Sequence, residues 1–149
     1  MVKKRGVGYG CMLYGVGFGF NRPDISAAFV EMGEDGSVTV LSGCAEIGQG
    51  SDTALSQIVA EELGLNFEDL RIISGDTAIT PDGGPSTASR QTYVSGNAVR
   101  KAASEVKKSL LQMASDLSGI PAEELHLANR AVWARGKPDP VLSVAEVAN

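Results

Sequence analysis

Ser37 to Leu63, SVTVLSGCAEIGQGSDTALSQIVAEEL, joins a short apolar strand to an amphipathic helix through a glycine-rich turn. Val38, Val40 and Leu41 favour extended backbone, whereas Leu55, Ile58, Val59 and Leu63 recur at helical spacing. The hydrophobic period therefore changes from two to about 3.6 across Gly43 to Gly50, which makes this turn a helix N-terminus. Free backbone N–H groups and the positive end of the helix dipole gather at such a point, and glycines at 43, 48 and 50 let an anionic group come close to the main chain. Phosphate cradling is the expected chemistry. Gln49 adds an uncharged amide that both donates and accepts, a reader of polar edges and neither acid nor base.

Upstream, Ala27 to Met32 and Ser37 to Leu41 read as strands, and Gly33-Glu34-Asp35-Gly36 between them carries the Asp-Gly pair of a tight hairpin, with both acids as solvated turn residues. Residues 6–19, GVGYGCMLYGVGFG, alternate glycine with bulky apolar residues and are expected to form a glycine-rich strand. Neither half of that stretch has the G-x-G-x-x-G spacing of a dinucleotide fingerprint. Downstream, the helix of about 51–63 closes at Gly64, with Glu61 and Glu62 on a solvated face far from the turn. Leu70 to Ile73 forms another strand, and a loop rich in glycine and proline runs from Gly75 to Pro85, a composition that marks a functional connection.

That loop feeds Ser86-Thr87-Ala88-Ser89-Arg90-Gln91-Thr92 and then a long helix. Its expected buried stripe is Val94, Ala98, Ala102, Val106, Leu110, Met113 and Leu117, its outer face Lys101, Glu105, Lys108, Gln112 and Asp116, and its end Ser118-Gly119 before Pro121. Ser86 or Ser89 taken alone reads as the N-cap. Taken together, the two helix entrances, Gly48 to Thr53 and Ser86 to Thr92, could bracket one polyanionic ligand. In the tail, Ala131 to Ala134 reads as a strand, 136–140 as a turn, and Ser143 with Glu146 as a capping box opening a helix that has hardly begun at Asn149. The sole histidine, His126, has no metal-ligating neighbours and reads as a surface residue. These elements indicate an α+β fold, helices packed on a mixed or antiparallel sheet.

The 149 residues, 43% apolar, suffice for one domain or for a piece of a larger one. A net charge of −5, with thirteen scattered Lys and Arg, argues against nucleic acid or an anionic membrane as partner, so any phosphate must be held mainly by backbone groups. There is no apolar run of membrane-spanning length and no signal-peptide cleavage pattern, and a cytoplasmic location is expected. Cys11 and Cys44 are too few for a disulfide scaffold or zinc site, and both are expected as buried thiols.

Gly43 to Gly50, then Thr53, Gln57-Ile58, Glu61 to Gly64, Gly75-Asp76-Thr77, Pro85 to Gln91 and Gly96-Asn97-Ala98 resemble, in order and spacing, the large molybdopterin-binding subunit of the xanthine dehydrogenase and aldehyde oxidase family. The resemblance covers nearly the whole chain. It implies that the fold is one part of a molybdopterin-binding domain. Gln49 would then hydrogen-bond the phosphate or pterin of the molybdenum cofactor, seated by Ile47, Gly48 and Gly50. Ser86, Ser89 and Gln91 match cofactor contacts, and Thr87 and Ala88 match the segment nearest molybdenum and substrate. Arg90 suits members whose cofactor carries a second phosphate and a nucleotide, the cytosine dinucleotide form. The resemblance also implies iron–sulfur and FAD-binding partners, the remaining parts of the molybdenum subunit, and a purine, aldehyde or N-heterocycle as substrate.

Family enzymes place a glutamate base beside the molybdenum in a G-x-G-E type motif near the C-terminus of a much longer subunit, and no such motif stands in this sequence. Neither a catalytic residue nor a protein metal ligand is therefore assigned. The chain is expected to be a fragment that is inactive and without bound cofactor when isolated, and prone to self-associate through Met12, Leu13, Tyr14, Phe18 and Phe20. Two other readings stay open: a free-standing, non-catalytic ligand-binding or interaction module with cofactor-shaped loops, and, more distantly, a nucleotide-binding α/β domain. Continuation of the reading frame into a glycine-rich glutamate motif would separate the enzyme from the module.

Overall fold

The computed structural model describes residues 3–149. Its first sheet is a hairpin extended by a crossover. Strand β1 (Ala28–Met32) pairs antiparallel with β2 (Val38–Ser42) through the tight turn at 33–36, where Gly33 N–H donates to Ser37 O at 2.8 Å. Asp35 Oδ1 accepts from Ser37 N and Oγ, and these bonds hold its carboxyl below the usual aspartate range. Helix α1 (Ser51–Leu63) then carries the chain across, and β3 (Leu70–Ser74) returns parallel to β2, with Val38 opposite Leu70 and Ser42 opposite Ser74. The sheet is thus mixed, in the order β1-β2-β3. β1 alternates strictly, with Ala28, Val30 and Met32 turned toward the core and Phe29 and Glu31 away from it.

The long helix begins as a π-helical turn over Gln91–Ser95 and continues as α2 (Gly96–Ser118). Its buried face is Val99, Ala103, Leu110 and Ala114, which meets Leu55, Val59 and Leu63 of α1 and Val38 and Val40 of β2 in one apolar cluster. The stripe expected from residues four apart is displaced from this face: Met113 and Leu117 are exposed. Steps of four residues overshoot a helical turn by about 40° each, so a stripe drawn that way drifts off the core over six turns. The outer charged face lies as expected, from Lys101 to Asp116.

A second, antiparallel sheet, β4-β5-β6, comprises Leu125–Ala128, Ala131–Ala134 and Leu142–Ser143. Only β5 is legible in the sequence. β4 joins β5 through Asn129-Arg130, both at positive φ (49° and 62°), the backbone of a two-residue type I′ turn built without glycine. His126 is exposed on β4 opposite Trp133. Ser143 and Glu146 form the expected capping box of α3 (Val144–Ala148), whose Val144 and Val147 reach the common core.

Two expectations fail at the N-terminal end. Residues 6–19 form no strand, because no neighbouring strand offers them a ladder and alternating glycines give no continuous face to bury. Cys11 is exposed there, not buried, while Cys44 is buried as expected, and both thiols are free. No helix among the described residues is long and apolar enough to cross a membrane.

Gly64 and Gly119 end α1 and α2 in the left-handed conformation, at φ 63° and 71°. A Cβ at Gly64 would lie 2.6 Å from the Leu127 carbonyl of β4, whereas nothing lies within 4 Å of one at Gly119. Gly119→Ala is therefore expected to cost the left-handed strain alone, about 1–2 kcal/mol. Gly64→Ala is expected to cost distinctly more, since β4 must shift. Urea denaturation of the two variants measures the difference, and equal midpoints would disprove the close approach of α1 and β4.

Candidate functional site

The turn from β2 to α1 holds an anion of its own. Glu46 reaches back over the helix entrance, its Oε1 accepting from Gly48 N at 2.7 Å and Gly50 N at 3.1 Å, its Oε2 from Ser51 Oγ at 3.1 Å and Asp52 N at 3.2 Å. Gly50, the N-cap, has no side chain to do this. The main-chain donors expected to face a phosphate are thus taken by a carboxylate from the same turn. Gly48 (φ 98°) and Gly50 (φ 80°) supply the left-handed backbone that folds those N–H groups onto Glu46. A carboxylate preceding the first turn of a helix was the sequence signal for this cap.

Gln49 leaves that turn in the opposite direction. Its Oε1 accepts from Ile47 N at 2.7 Å, and its Nε2 lies within hydrogen-bond distance of Ala45 O (2.8 Å), Ser51 Oγ (2.9 Å) and Gln91 Oε1 (2.6 Å). Gln91, from the π-helical turn, donates to Ala45 O at 3.3 Å and to Ser86 Oγ, and Ala45 N donates to Ser86 Oγ at 3.2 Å. The Ala45 backbone is thereby gripped, at its N–H and its carbonyl, by three side chains from both helix entrances. Gly43 allows the two loops to lie this close, since a Cβ there would overlap Pro81 O and Gly83 N. Ser86 and Ser89 are not N-caps: the helical turn begins after Arg90, which has no side-chain cap bond.

Between the loops lies a pocket of about 410 Å³. Ile47, Gln49 and Gly50 line one side and residues 86–91 the other, joined by Ser51, Ala54 and Thr92, which the family resemblance does not mark as cofactor contacts. Gly48 is outside this lining. Thr87, Ser89 and Thr92 are exposed, and Ala88 and Ser89 are consecutive non-glycine residues at positive φ, 54° and 50°. Such backbone is held in place only by its surroundings.

Arg90 is where the structure departs most from expectation. The residue borders the pocket, but its side chain is 1% exposed and its guanidinium is engaged by Asp24 Oδ1 at 2.6 Å and by the carbonyls of Gly83, Pro85 and Ile25. Its guanidinium is thus occupied within the protein and is not presented to the pocket. Among the described residues no cluster of His, Cys, Asp and Glu could hold a metal ion. What lines the pocket besides Arg90 is a set of neutral hydroxyl, amide and apolar groups.

The cap on α1 predicts a pH signature. The Gly50 and Asp52 N–H groups, more than the opposing desolvation, pull the Glu46 carboxyl from its ordinary 4.5 to about 2. A carboxyl lowered on folding stabilises the fold in its ionised form, so its contribution is complete above pH 4.5 and is lost as pH falls toward about 2. Glu46→Gln carries no such charge. The stability advantage of the unsubstituted protein over this variant is expected to shrink through that window, as read by thermal unfolding in steps from pH 6 to pH 2. A constant difference would remove Glu46 from the cap.

Comparison with known proteins accords with this geometry. The sequence model described as the molybdopterin cofactor-binding domain matches residues 1–149. The chain is 37% identical over 147 residues to the putative xanthine dehydrogenase molybdenum-binding subunit XdhA of Escherichia coli (strain K12), covering 97% of this chain and 20% of that protein. It is 31% identical over 121 residues to the nicotine 6-hydroxylase large subunit of Paenarthrobacter nicotinovorans, covering 81% of this chain and 15% of that one. It superposes on the crystal structure of quinoline 2-oxidoreductase from Pseudomonas putida 86 with a TM-score of 0.77 at 32% identity, over 83% of this chain and 16% of that one. The chain thus spans a fifth or less of the length of these relatives. A match that runs through both helix entrances, over the whole sequence, makes the chain a member of the molybdopterin cofactor-binding domain family.

Proposed function

We propose that residues 1–149 form one domain, a part of the molybdenum-cofactor-binding subunit of a xanthine dehydrogenase or aldehyde oxidase type hydroxylase. The observation that carries this reading is the neutral pocket between the two helix entrances, lined by Gln49, Gln91 and the hydroxyls of Ser86, Thr87 and Ser89. The donor set suits a polyanionic pterin phosphate: uncharged amides and hydroxyls bond its polar edges without neutralising it, and a volume of about 410 Å³ admits part of such a molecule. Gln49 and Ser86 would hold it from opposite sides, with Ala88 beside the reacting end. When bound, the cofactor supplies the molybdenum redox centre for oxidation of a purine, aldehyde or N-heterocycle. The chain's own contribution is to bind and orient it; the acid–base group would come from elsewhere in the subunit, since no G-x-G-E type motif is present. The cytosine dinucleotide form is a secondary proposal carried over from the family resemblance. Iron–sulfur and FAD-binding subunits or domains are the corresponding partners, and the cytoplasm is the corresponding location.

In the full-length subunit, Gln49→Ala removes an amide and leaves the turn's glycines in place. Molybdenum and pterin retention is expected to fall about two- to tenfold, the worth of one or two neutral hydrogen bonds. Metal analysis by mass spectrometry with pterin fluorescence reads this, and unchanged content would refute the assignment. The isolated 149 residues are expected to purify without stoichiometric molybdenum and to turn over neither purines nor aldehydes.

Association of the isolated chain is a second consequence. Tyr9, Met12, Leu13 and Phe20 are 95%, 83%, 102% and 101% exposed in one N-terminal segment, a density of apolar surface that drives self-association. Light scattering over a dilution series is expected to show concentration-dependent oligomers. A monomer at every concentration, with no binding of a hydrophobic dye, would show otherwise.

A further inference from the structure

One buried ionic cluster has no part in the binding reading. Arg90 donates through Nε to Asp24 Oδ1 at 2.6 Å, through Nη1 to Gly83 O at 2.7 Å and Pro85 O at 3.0 Å, and through Nη2 to Ile25 O at 2.6 Å. The Phe18 ring stands over its guanidinium, 5.7 Å to the centroid. These acceptors belong to two stretches far apart in sequence, residues 24–25 and 83–85. Their neighbourhoods are also tied by Gly17 N to Ala88 O at 2.8 Å, by Ala27 N to Asp82 O at 3.1 Å, and by Ser26 Oγ lying 2.9 Å from Ser95 Oγ. Asp24 Oδ2 is buried with no partner, so Arg90 is the only cation compensating that carboxylate among the described residues.

We propose that Arg90 is a positioning residue: its guanidinium fastens residues 17–27 to the 82–90 loop and so holds the left-handed Ala88–Ser89 turn that walls the pocket. Ala88 is both the strained residue and the acceptor of the Gly17 N–H. The pocket wall and the N-terminal segment are then one cooperative unit, and loosening either end loosens the other. A planar fork with five donors is required for this, because three carbonyls and a carboxylate converge on it from different directions; a lysine ammonium has three donors and no fork. The inference does not depend on what the pocket holds.

Amide hydrogen exchange on the full 149-residue chain tests it, without any ligand. Gly17 and Ala27 report on the N-terminal segment, Arg90 (N–H to Thr87 O, 3.2 Å) on the pocket wall, and Val40 in β2 on the core. Arg90→Lys is expected to speed exchange at Gly17 and Ala27 by about tenfold or more while Val40 is unchanged. Gly17→Ala attacks the other end, since Gly17 sits at φ 78° and its Cβ would lie 2.8 Å from Asp24 Oδ2. It is expected to speed exchange at the Arg90 amide, whose own bond to Thr87 O involves neither Gly17 nor Asp24. Should Arg90→Lys fail to fold, Gly17→Ala decides alone. Unaltered exchange at the distant reporters overturns the proposal. So does unfolding of both variants, which would make the cluster a support of the whole fold in place of a local tie.

Discussion

The site depends on the backbone of one residue. Ala45 O receives the amides of Gln49 and Gln91, and Ala45 N donates to Ser86, so a single residue without a functional side chain joins the β2–α1 turn to the loop that opens the long helix. Backbone proximity makes this possible: Gly43 lies against Pro81 and Gly83 with no room for a Cβ. Two helix entrances far apart in sequence thereby become opposite walls of one pocket. An isolated glycine-rich turn would offer only a local nest of N–H groups; the pairing of two creates an open cleft with convergent polar groups.

Charge follows a consistent logic. The strongest local anion, Glu46, is satisfied by the α1 entrance, and the one buried cation among the described residues, Arg90, is satisfied by Asp24 and backbone carbonyls. Both serve the shape of the loops, and neither is free to pair with a ligand. Under the proposed function, recognition at the pocket would fall to amides and hydroxyls, whose hydrogen bonds are directional but individually modest, so affinity would come from many aligned contacts and not from one ion pair. This accords with a net charge of −5 in a chain whose family binds a phosphorylated cofactor. A positive stripe is unnecessary where donors are preorganised.

The helices contribute rigidity where it is needed. α1 and α2 bury Leu55, Val59, Leu63, Val99 and Ala103 against β2, so both entrances are anchored in the same core. The second sheet closes the far end through Leu125, Leu127 and Val132. By contrast, the apolar side chains of the N-terminal segment lie largely outside that core, and the contacts that hold its later part are the polar ones around Arg90.

Local sequence was enough to specify the local elements. The hairpin at 33–36, α1 with its Gly64 end, β3, β5 and the Ser143–Glu146 box are written in turn residues, caps and periodicity, each a contest among neighbours in the chain. The family was legible for the same reason, since its motifs are local runs around both entrances. The roles of individual side chains were settled by tertiary contacts instead. Glu46, to which the sequence assigned no role, proved to be the cap, because occupancy of the helix N–H groups depends on where the turn folds back. Arg90, matched by resemblance to a phosphate contact, lies buried, because Asp24 and Ile25 reach it only when distant segments meet. The strand expected at 6–19 did not form, since a strand needs a partner that no local pattern supplies, and β4 escaped notice because its hairpin turn is made by Asn129 and Arg130, without the glycine that usually announces one.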